Sequence, residues 1–204
     1  MTRPEIFGAC VGPGRVLALL AAGLLVTGCT SSSSPTTFDL TAPSQRVRGA
    51  GLSGQVVVAE PVTTQVLEAE RIIVRDASGA VSFLGGGQWA DRLPRLVQAR
   101  LIQTFENGSR LKAVSRPGDR VTADYLLSTE LRAFQVVSPG NEAVVEVSAR
   151  LVNDRTGRIV RAKVFSARVP VAAIDAANAA RALDEALSTV LVDIVGWVGT
   201  GPTV

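Results

Sequence analysis

The chain of 204 residues contains no histidine, and that absence removes most of the ordinary catalytic repertoire. Ser–His–Asp and Cys–His schemes are excluded, and the commonest general base is missing. Cysteine is almost as scarce, with only Cys10 and Cys29 present. If the chain is cut before Cys29, one thiol remains and no internal disulfide can form, so the fold must be held by its core alone. A zinc site lacks its usual ligands, and the scattered carboxylates form no D-x-D-x-D-G loop for calcium. Runs of Lys or Arg are missing too. The formal charge of +3 is spread along the chain, whereas a nucleic-acid binder concentrates its cations in a patch or stripe. No catalytic residue, metal, cofactor or nucleic-acid partner is expected.

There is one long apolar run, residues 16–26 (VLALLAAGLLV). Eleven residues are too few to cross a bilayer as a helix but suit the core of an export signal. The run ends in Val26-Thr27-Gly28-Cys29. That tetrapeptide resembles the bacterial lipobox, in which small residues fit the signal peptidase and the cysteine thiolate takes up a diacylglyceryl group. Residues 1–28 are therefore expected to be a lipoprotein signal peptide, with Val26, Thr27 and Gly28 as its recognition residues and Cys29 as the lipidated N-terminus. By resemblance to other lipoproteins, Cys29 carries two or three acyl chains and anchors the protein to a membrane. Residues 29–37 then hold the lipidated cysteine and a Ser/Thr-rich tether, whose stretch 30–37 (TSSSSPTT) reaches at most ~28 Å fully extended.

Beyond the tether, residues 38–198 read as a single domain and 199–204 as a flexible tail. Residues 55–59 (QVVVA), 71–75 (RIIVR) and 81–84 read as short strands, with the last pairing back as a hairpin. Gly85-Gly86-Gly87 is expected to break the pattern, as a turn leading to a helix or as N–H groups for a phosphate. Trp89, Leu93, Leu96, Val97, Leu101 and Phe105 recur at steps of three and four, one face of a helix, with Pro94 tolerated in its first turn and Asn107-Gly108 as its stop. Alternation then returns at Tyr125, Leu127, Thr129, Leu131 and Ala133, and again at Ala143, Val145, Val147, Ala149 and Leu151. After the turn 153–158 (NDRTGR), Val160, Ala162 and Val164 are expected to face inward, with Arg161 and Lys163 outward and within reach of Glu146 and Arg150. Leu183, Leu187, Val190, Leu191, Ile194 and Trp197 mark a second amphipathic helix. The order of elements predicts an α+β fold, an antiparallel sheet with two amphipathic helices packed on one face.

Few residues suggest chemistry. Residues 51–54 (GLSG) are not a nucleophile elbow. Ser109-Arg110-Leu111-Lys112 matches S-x-x-K, but it follows a helix stop and lacks the K-T-G and S-D-N companions. Asp91, Arg92 and Arg95 at the start of the first helix stand as a candidate partner surface, beside the plainer reading of a solvated face.

Several landmarks in one order carry a resemblance. They are Phe38-Asp39-Leu40 with Ala42-Pro43, Val56-Val57-Val58 closed by Pro61, Arg71-Ile72-Ile73-Val74-Arg75, Gln88-Trp89-Ala90-Asp91-Arg92-Leu93-Pro94, and Asp124-Tyr125 opening a strand that ends at Phe134. With them the chain resembles the ABC-type transport auxiliary lipoproteins, the PqiC-like family, from about Phe38 to Trp197. A frequent Tyr-Tyr-Leu opening of that family is Phe-Asp-Leu here. The resemblance implies a non-enzymatic accessory of an MCE-type ABC transport system, whose permease and ATPase work with an MCE-domain protein to move phospholipids or other hydrophobic molecules between the two membranes. It implies those components as partners, and leaves open a phospholipid contact and a homo-oligomer. By resemblance to enterobacterial sorting, Thr30 in place of Asp after the acylated cysteine directs the protein to the outer membrane, on its periplasmic face. A structural envelope lipoprotein with no cargo role is the alternative.

Intact-mass measurement of the protein purified from membranes should give a chain that begins at Cys29 and carries acyl mass. An unlipidated chain beginning elsewhere contradicts the lipobox.

Overall fold

A computed structural model describes residues 34–45, 54–108 and 114–200. The signal segment with Val26, Thr27, Gly28 and Cys29, the 51–53 part of GLSG and the S-x-x-K tetrapeptide lie outside the described residues.

Among the described residues, nine strands and two helices follow in the order β1 (Thr36–Phe38), β2 (Val56–Val58), β3 (Val62–Thr63), β4 (Arg71–Arg75), β5 (Val81–Trp89), α1 (Leu93–Gly108), β6 (Val114–Ser115), β7 (Tyr125–Val137), β8 (Glu142–Asn153), β9 (Ile159–Pro170) and α2 (Ala176–Gly199). The strands form one sheet, mixed but mostly antiparallel, and the helices pack against it: the α+β class that the pattern predicts. What the alternation did not reveal is that the short strands run parallel to a long one. β7 pairs antiparallel with β8 along its whole length. Its other edge is shared end to end by β2 at Tyr125–Leu127, β3 at Glu130–Leu131 and β4 at Val136–Val137, all parallel. β5 returns antiparallel to β4, and β1 adds parallel to the end of β5, matching Thr36 with Gly87. β1 thus takes Thr36 and Thr37 out of the stretch read as tether.

The inner face of the long hairpins alternates as expected. Ala143, Val145, Val147, Ala149 and Leu151 are all buried. In β7 the alternation is reset by a bulge between Leu131 and Ala133, where Arg132 is the extra residue. Leu127 and Leu131 point inward before it and Phe134 and Val136 after it, so Ala133 leaves the inward series.

In β9 the expected phase is reversed. Val147 lies opposite Phe165 and Ala149 opposite Lys163, which places Arg161, Lys163 and Phe165 on the helix side. Phe165 is buried, while Ala162 and Val164 are exposed. Phe165 packs edge-on to Trp197 of α2 with ring centres 5.6 Å apart, which commits the alternate residues of β9 to the helix side. The two cations lie over aromatic rings: the Arg161 guanidinium sits 4.9 Å from the Trp197 ring centre and the Lys163 ammonium 4.8 Å from that of Phe165. Glu146 and Arg150 consequently turn to β7, with Glu146 3.9 Å from Arg132 and Arg150 3.8 Å from Glu130.

Trp89 is not helical. It closes β5, fully buried and edge-on to Phe134 at 5.6 Å. The helix begins at Leu93 with Pro94 next, in the turn where a missing N–H costs nothing. The glycine triplet is strand rather than a turn. A Cβ on Gly87 would lie 2.6 Å from the Ala176 Cβ and 2.7 Å from Phe38 Cε2, so a bare backbone lets α2 and β1 close onto β5. Helix α2 starts at an Asp175 cap that accepts from the Asn178 N–H, and runs through Gly199, past the expected end of the domain.

Phe105 is fully buried in the common core with Leu101, Leu187, Leu191 and Ile194. Phe105→Ala should cost roughly 3–5 kcal/mol, a large part of a total of about 5–15 kcal/mol. A thermal melt should show a much lower midpoint; an unchanged one would mean that the α1 stripe is not core.

Candidate functional site

Phe38 ends β1, and the chain then crosses the two helices as a strap. Leu40 is buried beneath it. Asp39 Oδ2 accepts from the Arg100 guanidinium of α1 at 2.6 Å, and Arg100 also donates to Gln103 Oε1. Asp184 of α2 takes both the Thr41 N–H at 2.7 Å and the Thr41 hydroxyl at 2.6 Å. The Asn107 amide donates to the Pro43 carbonyl. The segment that joins the tether to the domain is therefore fixed to β5, α1 and α2 together.

The candidate partner surface lies at the start of α1 and is knitted to its surroundings. Arg92 donates to Glu60 at 3.1 Å and to Glu68 at 3.2 Å, bracing α1 against the segments on either side of β3. Arg95 pairs with Asp91 at 3.3 Å. Asp91 also accepts from the Arg92 N–H, and this bond, aided by Arg95, holds its carboxyl below the usual carboxylate range. Surface pairs of this kind are screened by solvent and contribute little to stability. They fix a shape and leave Arg95, whose side chain is 59% exposed, as the most accessible of the three. The structure brings Asp91, Arg92 and Arg95 together, and adds Glu60 and Glu68, which sequence spacing does not link to them.

The sheet face away from the helices carries a charge ladder. Arg132 and Arg150 flank Glu130, and Arg168 pairs with Glu142 at 3.0 Å. At one end of the sheet, where β7 begins and β8 turns into β9, a cleft of about 310 Å³ is lined by Gly54, Asp124, Tyr125, Asn153, Arg155 and Thr156. Asp124 is already engaged by the Gln55 N–H, and Asn153 by the Thr156 N–H and hydroxyl. Nearby, Arg161 donates to the Trp197 carbonyl and to the Thr200 hydroxyl. The cleft has no nucleophile paired with a base. Among the described residues no three His, Cys, Asp or Glu side chains converge as a metal site, and no helix is long and apolar enough to cross a membrane.

The family model for the ABC-type transport auxiliary lipoprotein component matches residues 38–195. An uncharacterized protein of Bradyrhizobium diazoefficiens is 31% identical over 195 residues, 93% of this chain and 52% of that protein. The chain thus spans about half the length of this curated relative. Among solved structures, protein XCC0632 from Xanthomonas campestris, described under the family model DUF330, superposes with a TM-score of 0.73 at 26% identity, covering 80% of this chain and 94% of the other. A second solved, uncharacterized protein has a TM-score of 0.65 at 10% identity, covering 81% and 99%; it shows the fold alone.

Replacing Arg100 by Met keeps the stem and removes the bond to Asp39. Because Asp39 is half-exposed, global stability should fall by no more than about 1 kcal/mol. Amide exchange in residues 38–41 should nevertheless quicken while β7 is unchanged. Unchanged exchange in the strap would mean that Leu40 and the Asp184 bonds hold it alone.

Proposed function

The chain belongs to the family of ABC-type transport auxiliary lipoprotein components, and from that premise we propose that it is a non-enzymatic accessory of an MCE-type ABC transport system. In this reading it is held by acylated Cys29 to the periplasmic face of the outer membrane, and works with an MCE-domain protein, its permease and its ATPase. The cargo is phospholipid or another hydrophobic molecule. The family itself is one of transport auxiliaries and not of enzymes. The observation that carries the reading is the family match over residues 38–195, which takes in the strap, strands β2 to β9 and most of α2.

The physical inventory fits a protein that acts by binding. The absence of histidine removes the common base, and in the cleft near Asp124 the Asp124 carboxylate and the Asn153 amide oxygen are already engaged. Surfaces remain: the Asp91, Arg92 and Arg95 cluster, the outer edge of β9, and the end of α2 near Thr200. A strand edge offers N–H and C=O groups that another chain can complete, so docking and self-association both have a physical route.

Photo-crosslinkers placed at Arg95 and at Thr200 in living cells should capture an MCE-domain protein from one position or both. Deletion of the gene should sensitise cells to membrane-active compounds. If neither position, nor any on the β9 edge, captures such a protein and lipid traffic is unchanged on deletion, the structural-lipoprotein reading replaces this one.

A further inference from the structure

The strands give the domain two distinct ends. β7 and β4 run together toward the β4–β5 turn at residues 76–80, where the Ser138 N–H donates to the Arg75 carbonyl. The turn 154–158 between β8 and β9 lies at the other end of β7. Thirteen residues of β7 separate the two ends, about 40 Å at ~3.3 Å per residue. β5 runs back from the first end and β1 lies parallel to it, so the N-terminus of β1 points toward the β4–β5 turn. The register matches Thr36 with Gly87. The chain therefore enters the domain alongside Gly85 and Gly86, from the direction of Val81 and Phe83.

That hairpin has an unusual surface. Residues 77–90 contain no charged side chain, the longest such run after Asp39. Val81 is 37% exposed and Phe83 48%. The Arg71 guanidinium lies 5.1 Å from the Phe83 ring centre, and Arg75 is on the same strand. The turn is rigid: Asp76 Oδ1 accepts from the Ser78 and Ala80 N–H groups and the Ser78 hydroxyl. Ile174, 36% exposed, belongs to the loop before α2, which is tied to the β7–β8 turn by the Val171 N–H bond to Asn141. An apolar ring and a valine beside two arginines suit the boundary between headgroups and acyl chains, where cations meet phosphate and apolar groups leave water.

Chain length decides the occupant. Five peptide steps lead from Ser34 back to Cys29, a span of at most about 18 Å. From Gly85 to Val81 the hairpin itself advances about 13 Å in the same direction. A bilayer holding Cys29 by its acyl chains is then within reach of the hairpin whenever the tether is less than fully stretched.

We propose that the exposed side of the β4–β5 hairpin, with Phe83 and Val81 of its uncharged return strand as apolar contacts and Arg71 and Arg75 of β4 beside them, rests on the bilayer that holds the lipid anchor, so that the β8–β9 turn and the end of α2 project away from it. The proposal depends on acylation of Cys29, taken from the reading above.

The test uses the full lipidated chain in vesicles of phosphatidylethanolamine and phosphatidylglycerol that contain a headgroup-spin-labelled lipid. Ser82→Cys and Thr156→Cys each receive a fluorophore. The expected result is flotation with the vesicles, strong quenching at position 82 and none at 156. Phe83→Ser, a change at a half-exposed site, should keep flotation and lose the quenching. Flotation with an unquenched label at 82, or equal quenching at both positions, overturns the proposal and leaves the anchor standing. Failure to float overturns the anchor and the proposal with it.

Discussion

The rest of the molecule depends on β7 being hydrogen-bonded along both edges. One edge is taken by β8 over its whole length. The other is divided among β2, β3 and β4, which are two to five residues long and would not hold together as strands without it. Each of those short strands brings a connection with it. β2 and β3 position Glu60 and Glu68 to meet Arg92 at the start of α1. β4 carries β5, and β5 carries β1, which is where the chain enters the domain. The point where the chain enters the domain is thus settled three strand pairings away, at β7.

No cysteine lies beyond Cys29, so the described domain has no disulfide of its own and its stability comes from the apolar layer between this sheet and the two helices. Trp89, Phe134, Phe105 and the leucines of α2 form one continuous cluster. Charges do a different job. Arg100, Asp184, Arg92 and Arg161 each tie a connecting segment or chain end to a helix or strand, and each bond is at or near the surface. Such pairs add little free energy apiece, but they fix where the anchor-bearing strap lies and which surfaces remain available. In the proposed role, which is to bind, that geometric effect matters more than its contribution to stability.

The parts of the fold that follow from local period were legible. The β8 alternation, the β4–β5 hairpin, the Pro94 start of α1 and the α2 stripe all depend on neighbours within a few residues. What the sequence hid depends on contacts between distant segments. Gly87 is glycine because Phe38 and Ala176 approach it, one from 49 residues upstream and the other from 89 downstream. The phase of β9 is decided by Phe165 packing beneath α2 against Trp197, so the more hydrophobic-looking Val160, Ala162 and Val164 do not take the inner face. The bulge at Arg132 interrupts an alternation that read as regular. The candidate surface at Asp91, Arg92 and Arg95 was visible as charge on a helix face. Its bracing by Glu60 and Glu68 was not, because sequence spacing carries no record of a parallel strand pairing.

The central claim is that this domain serves a transport system by binding a component of it, and co-purification tests this most directly. The lipidated chain, tagged at its C-terminus and extracted from native envelopes in mild detergent, should bring down an MCE-domain protein together with its permease and ATPase, as identified by mass spectrometry. Recovery of the chain alone, or with envelope proteins unrelated to any ABC transporter, would contradict the account.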